Sequence, residues 1–143
     1  MALQFVPAYS QFRCGLSAYA YNESAFRHFL AIDRRRAERL SCSLLLVLVS
    51  FRQGDTGAAP ISEATAAAVF ASLGECVREA DFIGWFREGR VPAAVLAEGS
   101  QVSIDTRDPA AQRIVQTLRK RLLPDDALHL RVRVLRLGGK VRR

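Results

Sequence analysis

The sequence predicts an α/β sandwich: one antiparallel or mixed β-sheet with helices packed on it. Three observations carry that expectation. The chain has 143 residues, the length of one typical domain. Half of them are hydrophobic, enough for a sizeable core. The apolar spacing gives the order helix, strand, helix, strand, strand, helix, strand, with no internal repeat, low-complexity segment or linker.

Residues 1–20 hold Pro7, Gly15 and scattered aromatics with weak periodicity. They are expected to form an irregular or partly helical lead-in. From Asn22 the pattern turns helical. Phe26, Phe29, Leu30, Ala37 and Leu40 share one face, and Arg27, Arg34, Arg35 and Arg39 lie mostly elsewhere. "SCSLLLVLVSF" follows, a short unbroken apolar run of the kind buried on both faces of a sheet. "RQGDTGAAP" is a loop, marked by Gly54, Gly57 and Pro60. Ser62 is placed to cap a helix whose stripe is Ala66, Val69, Phe70, Leu73 and Val77.

Phe82–Phe86 and Val91–Leu96 read as a hairpin about the turn Arg87, Glu88, Gly89, Arg90. Pro92 lacks an N–H, so an edge or a bulge is expected there. Asp108 before Pro109 starts the last helix, with Ile114, Val115, Leu118 and Leu122 inward, and Pro124 stops it. In "LHLRVRV", Leu128, Leu130, Val132 and Val134 point inward, and His129, Arg131 and Arg133 point outward. Residues 138–143 form a basic tail.

The formal charge is +7, from 21 Lys and Arg against 14 Asp and Glu. Lys120 and Lys140 are the lysines; the remaining cations are arginine. This balance suits anionic partners, and it equally suits a merely soluble surface. The Arg34–Arg36 run with Arg39 reads as a solvated helix face. No nucleic-acid-binding motif accompanies it, so nucleic acid is not the expected partner. Cys14, Cys42 and Cys76 are odd in number and widely spaced, which suggests neither a zinc site nor a disulfide framework. A reducing, cytoplasmic setting follows. The longest apolar run, Leu44–Val49, falls far short of the roughly 20 residues that span a bilayer. No leader pattern opens the chain. His28 and His129 lack ligand companions and read as surface or boundary residues, and no nucleophile motif occurs. Phe82, Trp85 and Phe86 read as packing residues.

Three segments, in order and spacing, resemble the GGDEF domain, the fold of the diguanylate cyclases. "YNESAF" (Tyr21–Phe26) looks like that family's "YNRRAF"-type helix opening. "RRRAERLSCSLLLVLVSF" (Arg34–Phe51) looks like its arginine-rich helix and first, central strand. "VREADFIGWFREGRVPAAVLAE" (Val77–Glu98) looks like its R-x-x-D block, signature turn and apolar strand. The likeness covers residues 21–137 and implies a nucleotidyl-cyclase or ferredoxin-like palm, a mostly antiparallel sheet with helices packed on it.

The resemblance also implies losses. In the family the first strand carries a magnesium-binding acid just before a phenylalanine. Here that stretch is Val47, Leu48, Val49, Ser50, Phe51. Magnesium needs hard oxygen ligands, which apolar side chains cannot supply. The signature's two glycines fall on Arg87 and Glu88, and its acidic pair on Gly89 and Arg90. A one-residue slip brings Glu88 near a metal position, but a single carboxylate makes a poor two-metal site. A degenerate module with no catalysis, no metal and no cofactor is therefore expected.

One pair survives at family spacing, Arg78-x-x-Asp81. In the family this pair binds the product, cyclic di-GMP, away from the catalytic centre. A guanidinium can grip guanine O6 and N7 or a phosphate, and a carboxylate can accept from the guanine N1–H edge. A second arginine is needed, with Arg87, Arg90 and Arg131 as candidates by charge. Arg78 near a helix C-terminus and Asp81 beside it also read as a purely structural pair. Two readings stay open: a cyclic di-GMP receptor through Arg78, Asp81, Arg87 and Arg90, or a structural interaction or dimerisation domain without nucleotide binding. Both expect a protein partner or self-association, in signalling or exopolysaccharide machinery. A residual cyclase and a salt-sensitive nucleic-acid binder are the weaker alternatives.

Overall fold

The computed structural model describes residues 11–14, 18–53, 57–78, 81–97 and 109–138, with side chains from residue 20 onward except at 109–111. The expected N-cap Asp108, the loop residue Gly54 and tail residues 139–143 lie outside these. The elements run β1 (Gln11–Cys14), β2 (Ala18–Tyr21), α1 (Glu23–Arg39), β3 (Ser43–Phe51), α2 (Glu63–Cys76), β4 (Phe82–Arg87), β5 (Val91–Ala97), α3 (Pro109–Arg121), α4 (Pro124–Leu128) and β6 (Leu130–Gly138).

The six strands form one sheet in the order β1-β2-β4-β5-β3-β6. Its inner part, from β3 onward, is a β-α-β-β-α-β unit with antiparallel neighbours, the ferredoxin-like arrangement. β3 is an interior strand of that unit, and all but Ser43 and Ser50 of its residues are apolar. It pairs with β5 on one side and, over all nine residues, with β6 on the other. Val47, Val49 and Phe51 enter the core under α2 and α3, with Val69, Phe70, Leu73, Ile114 and Leu118. Leu44 and Leu46 enter the opposite core under α1, with Phe26, Ala37, Ala93 and Val95. The unbroken apolar run therefore serves two helical layers.

Local chemistry sets the helix ends. The side chain of Asn22 accepts from the Ala25 N–H and caps α1, and Ser62 does the same for α2 through the Thr65 N–H. At the far end of α1, the Cys42 N–H donates to the Ala37 carbonyl and the Ser41 N–H to that of Glu38. This is a Schellman closure with Ser41 at φ 57°, where glycine is usual. Pro92 sits beside a register shift in the β4–β5 ladder, and pairing of β5 with β3 stops at Ala93. No helix among the described residues is long and apolar enough to cross a membrane.

Four expectations are corrected. Part of the lead-in is a hairpin: β1 pairs antiparallel with β2, and β2 pairs parallel with β4 through Ala20↔Ile83 and Tyr21↔Gly84. The cue was the period-two run "AYAY". Pro124 does not simply end a helix. It opens α4, where proline at N1 loses no hydrogen bond. Leu128 consequently closes α4 and is 81% exposed, and strand β6 begins only at Leu130. Leu40, counted on the inner face of α1, lies beyond its last turn and is likewise exposed.

Candidate functional site

The β4–β5 hairpin carries the residues that the sequence singled out, at its two opposite ends. Its turn is tight: the Arg90 N–H donates to the Arg87 carbonyl at 3.0 Å, and Gly89 sits at φ 77°. A positive φ at the third position is the type II requirement that glycine meets.

The first turn of α1 and the loop leading into α2 both hold this turn. On the α1 side, the Glu23 N–H donates to Glu88 Oε1 at 3.0 Å, and the Glu88 N–H donates to Glu23 Oε1 at 2.7 Å. Arg27 completes the clasp. Its Nε donates to the Phe86 carbonyl at 3.0 Å and lies 3.3 Å from Glu23 Oε2, and its guanidinium stands 4.3 Å from the Phe86 ring centroid. On the α2 side, the Ile61 N–H donates to the Gly89 carbonyl and Arg90 Nη1 donates to the Ala58 carbonyl at 2.8 Å. Glu88 is thus bound to the first turn of a helix, where a carboxylate is favoured by the unpaired amides. Sequence reasoning missed Glu23 and Arg27. Their partners lie about sixty residues downstream, and no local pattern marks them.

Facing this turn, the end of β3 offers Val47, Val49 and Phe51, all buried, with Leu48 and Ser50 half-buried. Among the described residues, no three of His, Cys, Asp and Glu converge. A depression near the same end includes Arg52, Ser62, Thr65, Asp126 and His129 in its lining. Thr65 Oγ1 donates to Asp126 Oδ2, and Ser62 Oγ donates to Thr65 Oγ1. These hydroxyls are engaged by each other and by Asp126 of α4.

The other end of the hairpin holds Arg78 and Asp81. The Asp81 side chain is 2% exposed. Its Oδ2 accepts from the Arg78 N–H at 2.7 Å, and its Oδ1 accepts from the Ala97 N–H at 2.8 Å. The carboxylate therefore staples the start of β4 to the end of β5. The Arg78 side chain is 65% exposed, 3.7 Å from Asp81 Oδ2 through Nε and bonded to the Ala97 carbonyl through Nη2. Arg87 and Arg90 lie six residues along β4 and around the turn, on the order of 20 Å away. The fold brings Arg78 and Asp81 together and does not bring Arg87 or Arg90 to them. Arg131 lies on the opposite edge strand, β6.

The aromatics pack as expected. Trp85 meets Phe70 edge-on at 5.1 Å, and Phe82 meets Tyr21, Phe26 and Phe29. Gly84 lets them close: a Cβ there would stand 2.6 Å from the Tyr21 carbonyl oxygen and 2.8 Å from Phe26 Cδ1.

No protein-family model matches the sequence, and no curated protein matches it. Solved structures do resemble it. A DGC protein from Thermotoga maritima superposes with a TM-score of 0.58 at 16% identity, over 82% of this chain and 79% of that one. The FimX GGDEF domain from Pseudomonas aeruginosa gives 0.58 at 15% identity, over 87% and 79%. The fold is that of the GGDEF domains. A third neighbour, the diguanylate cyclase SiaD in complex with its activator SiaC from Pseudomonas aeruginosa, gives 0.55 at 16% identity, over 84% of this chain and 48% of that one. On this GGDEF fold, the clasped turn and the Asp81 staple are features of the chain's own residues.

Proposed function

We propose that the chain is a non-catalytic GGDEF-like interaction module. One observation carries this reading: the strand end where the resemblance expects a magnesium ligand presents valine, leucine, serine and phenylalanine, with Val47 and Val49 at most 1% exposed. Phosphoryl transfer on such a scaffold rests on positioning and on metal-borne charge neutralisation. The nearest acid on the hairpin, Glu88, is engaged by the α1 terminus. A turn gripped from both sides is suited to holding a shape rather than admitting a nucleotide. The SiaD–SiaC complex is a precedent, in another protein, for a diguanylate cyclase that binds a protein activator.

The test is incubation with GTP and magnesium followed by chromatography of the products. No turnover above a blank is expected, and clear product overturns the reading. The receptor alternative needs Asp81 to turn toward a guanine edge. That would release two backbone amides from a nearly buried carboxylate. Calorimetry with cyclic di-GMP, beside Arg78→Ala, is expected to give no heat at high micromolar ligand. Heat that vanishes in the variant would restore the receptor role.

A further inference from the structure

We infer that the outer edge of β6 is a docking site for an extended acidic segment of a partner protein, taken up as an added strand. This rests on the interaction-module reading and names the kind of partner. β6 is nine residues long and ends the sheet, and its pairing with β3 runs in unbroken register from Leu130↔Phe51 to Gly138↔Ser43. Among the described residues no strand pairs with its other side. Such an edge presents a row of backbone donors and acceptors, which proteins blunt with proline, a bulge, brevity or charged side chains. β6 has no proline, pairs with β3 without a register shift and is long; its one such device is charge, Arg131, Arg133 and Arg136, which repels a basic strand and admits an acidic one. The opposite edge, β1, has only four residues.

The side chains say what would fit. Arg131, Arg133 and Arg136 are exposed, and Arg136 also donates through Nη1 to Ser43 Oγ on β3 at 3.0 Å. Alternation puts Arg131 and Arg133 on one face with the half-buried Leu135 and Leu137, which extend the core under α1. Leu130, Val132 and Val134 extend the other core, on the face that carries Arg136. A strand added beside β6 would place its side chains about 5 Å from these, in cross-strand pairs. Complementarity requires carboxylates opposite the three arginines and aliphatic residues elsewhere. Main-chain bonds would give affinity and the alternating side chains selectivity. A second copy of the chain is disfavoured on the same edge, because it would line six arginines along one seam, three from each β6.

The probe is a fluorescein-labelled synthetic peptide with Glu at the positions facing Arg131, Arg133 and Arg136 and Val or Leu elsewhere, made in both strand directions. Its anisotropy is titrated with the whole chain. One direction is expected to saturate in the micromolar range. Arg131→Glu with Arg133→Glu is expected to weaken it at least about tenfold, and a peptide with Lys for Glu to bind that variant instead. N-methylation of alternate peptide amides is expected to abolish binding to the unaltered chain, a result independent of any variant's folding. Absence of binding, equal binding of the N-methylated peptide, tighter binding of single-stranded nucleic acid, or a dimer sealed through β6 each overturns the inference. GTP turnover in a chain that still binds the peptide would remove the non-catalytic reading and leave the edge site. A chain that does neither loses the edge site alone.

Discussion

Glu23 and Glu88 each accept the other's backbone N–H, at 2.7 and 3.0 Å, across 65 residues of sequence. Two like-charged side chains are held close because each is bound to an amide and Arg27 lies against Glu23. Glu88→Ala leaves a first-turn amide of α1 without its acceptor. A loss of about 1 kcal/mol is expected, as for an N-cap removal, read as a fall in Tm of about 2–4 °C. Glu88→Gln keeps an acceptor and should cost less. An unchanged Tm in the alanine variant would mean that the clasp holds nothing together.

Asp81 and Arg78 should separate on mutation. Asp81→Ala strands two backbone amides, those of Arg78 and Ala97, at a nearly buried position. A loss of about 2–3 kcal/mol is expected in urea unfolding. Arg78→Ala removes an exposed guanidinium and should cost less than about 1 kcal/mol. Equal losses would show that the pair acts as one ionic unit rather than as a carboxylate staple.

Gly84→Ala tests the packing of the hairpin. The new methyl would collide with the Tyr21 backbone and with Phe26, which is fully buried in the α1 core. Because one obstacle is main chain, it cannot swing aside. A loss of about 1–3 kcal/mol is expected. A chemical denaturation midpoint matching the parent's would show that β2 is free to shift away from β4.

Much of this architecture is legible in the sequence, for definite reasons. The β3 run, the α2 stripe and the caps at Asn22 and Ser62 are local patterns with a single physical solution. The parts that resist reading depend on partners far along the chain. β2 needs β4 beside it before "AYAY" becomes a strand, and α4 opens at Pro124, a start that proline's usual role as a stop conceals. The candidate site divides in the same way. Arg78 and Asp81, three residues apart, are found together; Arg87 and Arg90 shared only their charge with them, and strand length keeps them apart.

Ser41 holds a left-handed backbone at the end of α1, where glycine carries no steric cost. Its neighbours close the helix through the Ala37 and Glu38 carbonyls, so the conformation is imposed by the turn rather than chosen by serine. Ser41→Gly is expected to stabilise the chain by up to about 1 kcal/mol. The gain should appear as a higher denaturation midpoint with an unaltered urea slope. A loss instead would mean that the added freedom of glycine in the unfolded chain outweighs the relieved strain.

Asp33 supplies a pH test. Burial raises its carboxyl above the ordinary value, and nearby Arg36, with Nη1 at 3.6 Å from Oδ1, lowers it by a smaller amount. A raised folded-state value means that the folded chain holds this proton more tightly than the unfolded chain. The associated stability is complete below the usual aspartate range, about 3.9, and is lost as pH rises through the folded value. At pH 7 the ionised Asp33 therefore weighs against folding. Asp33→Asn, of similar shape and without charge, should gain on the parent as the pH is raised from 3 to 7. Urea midpoints of both proteins at the two pH values measure this. A gap that stays constant would show that the Arg36 pair cancels desolvation, and one that moves in the parent's favour on going to pH 7 that it outweighs it.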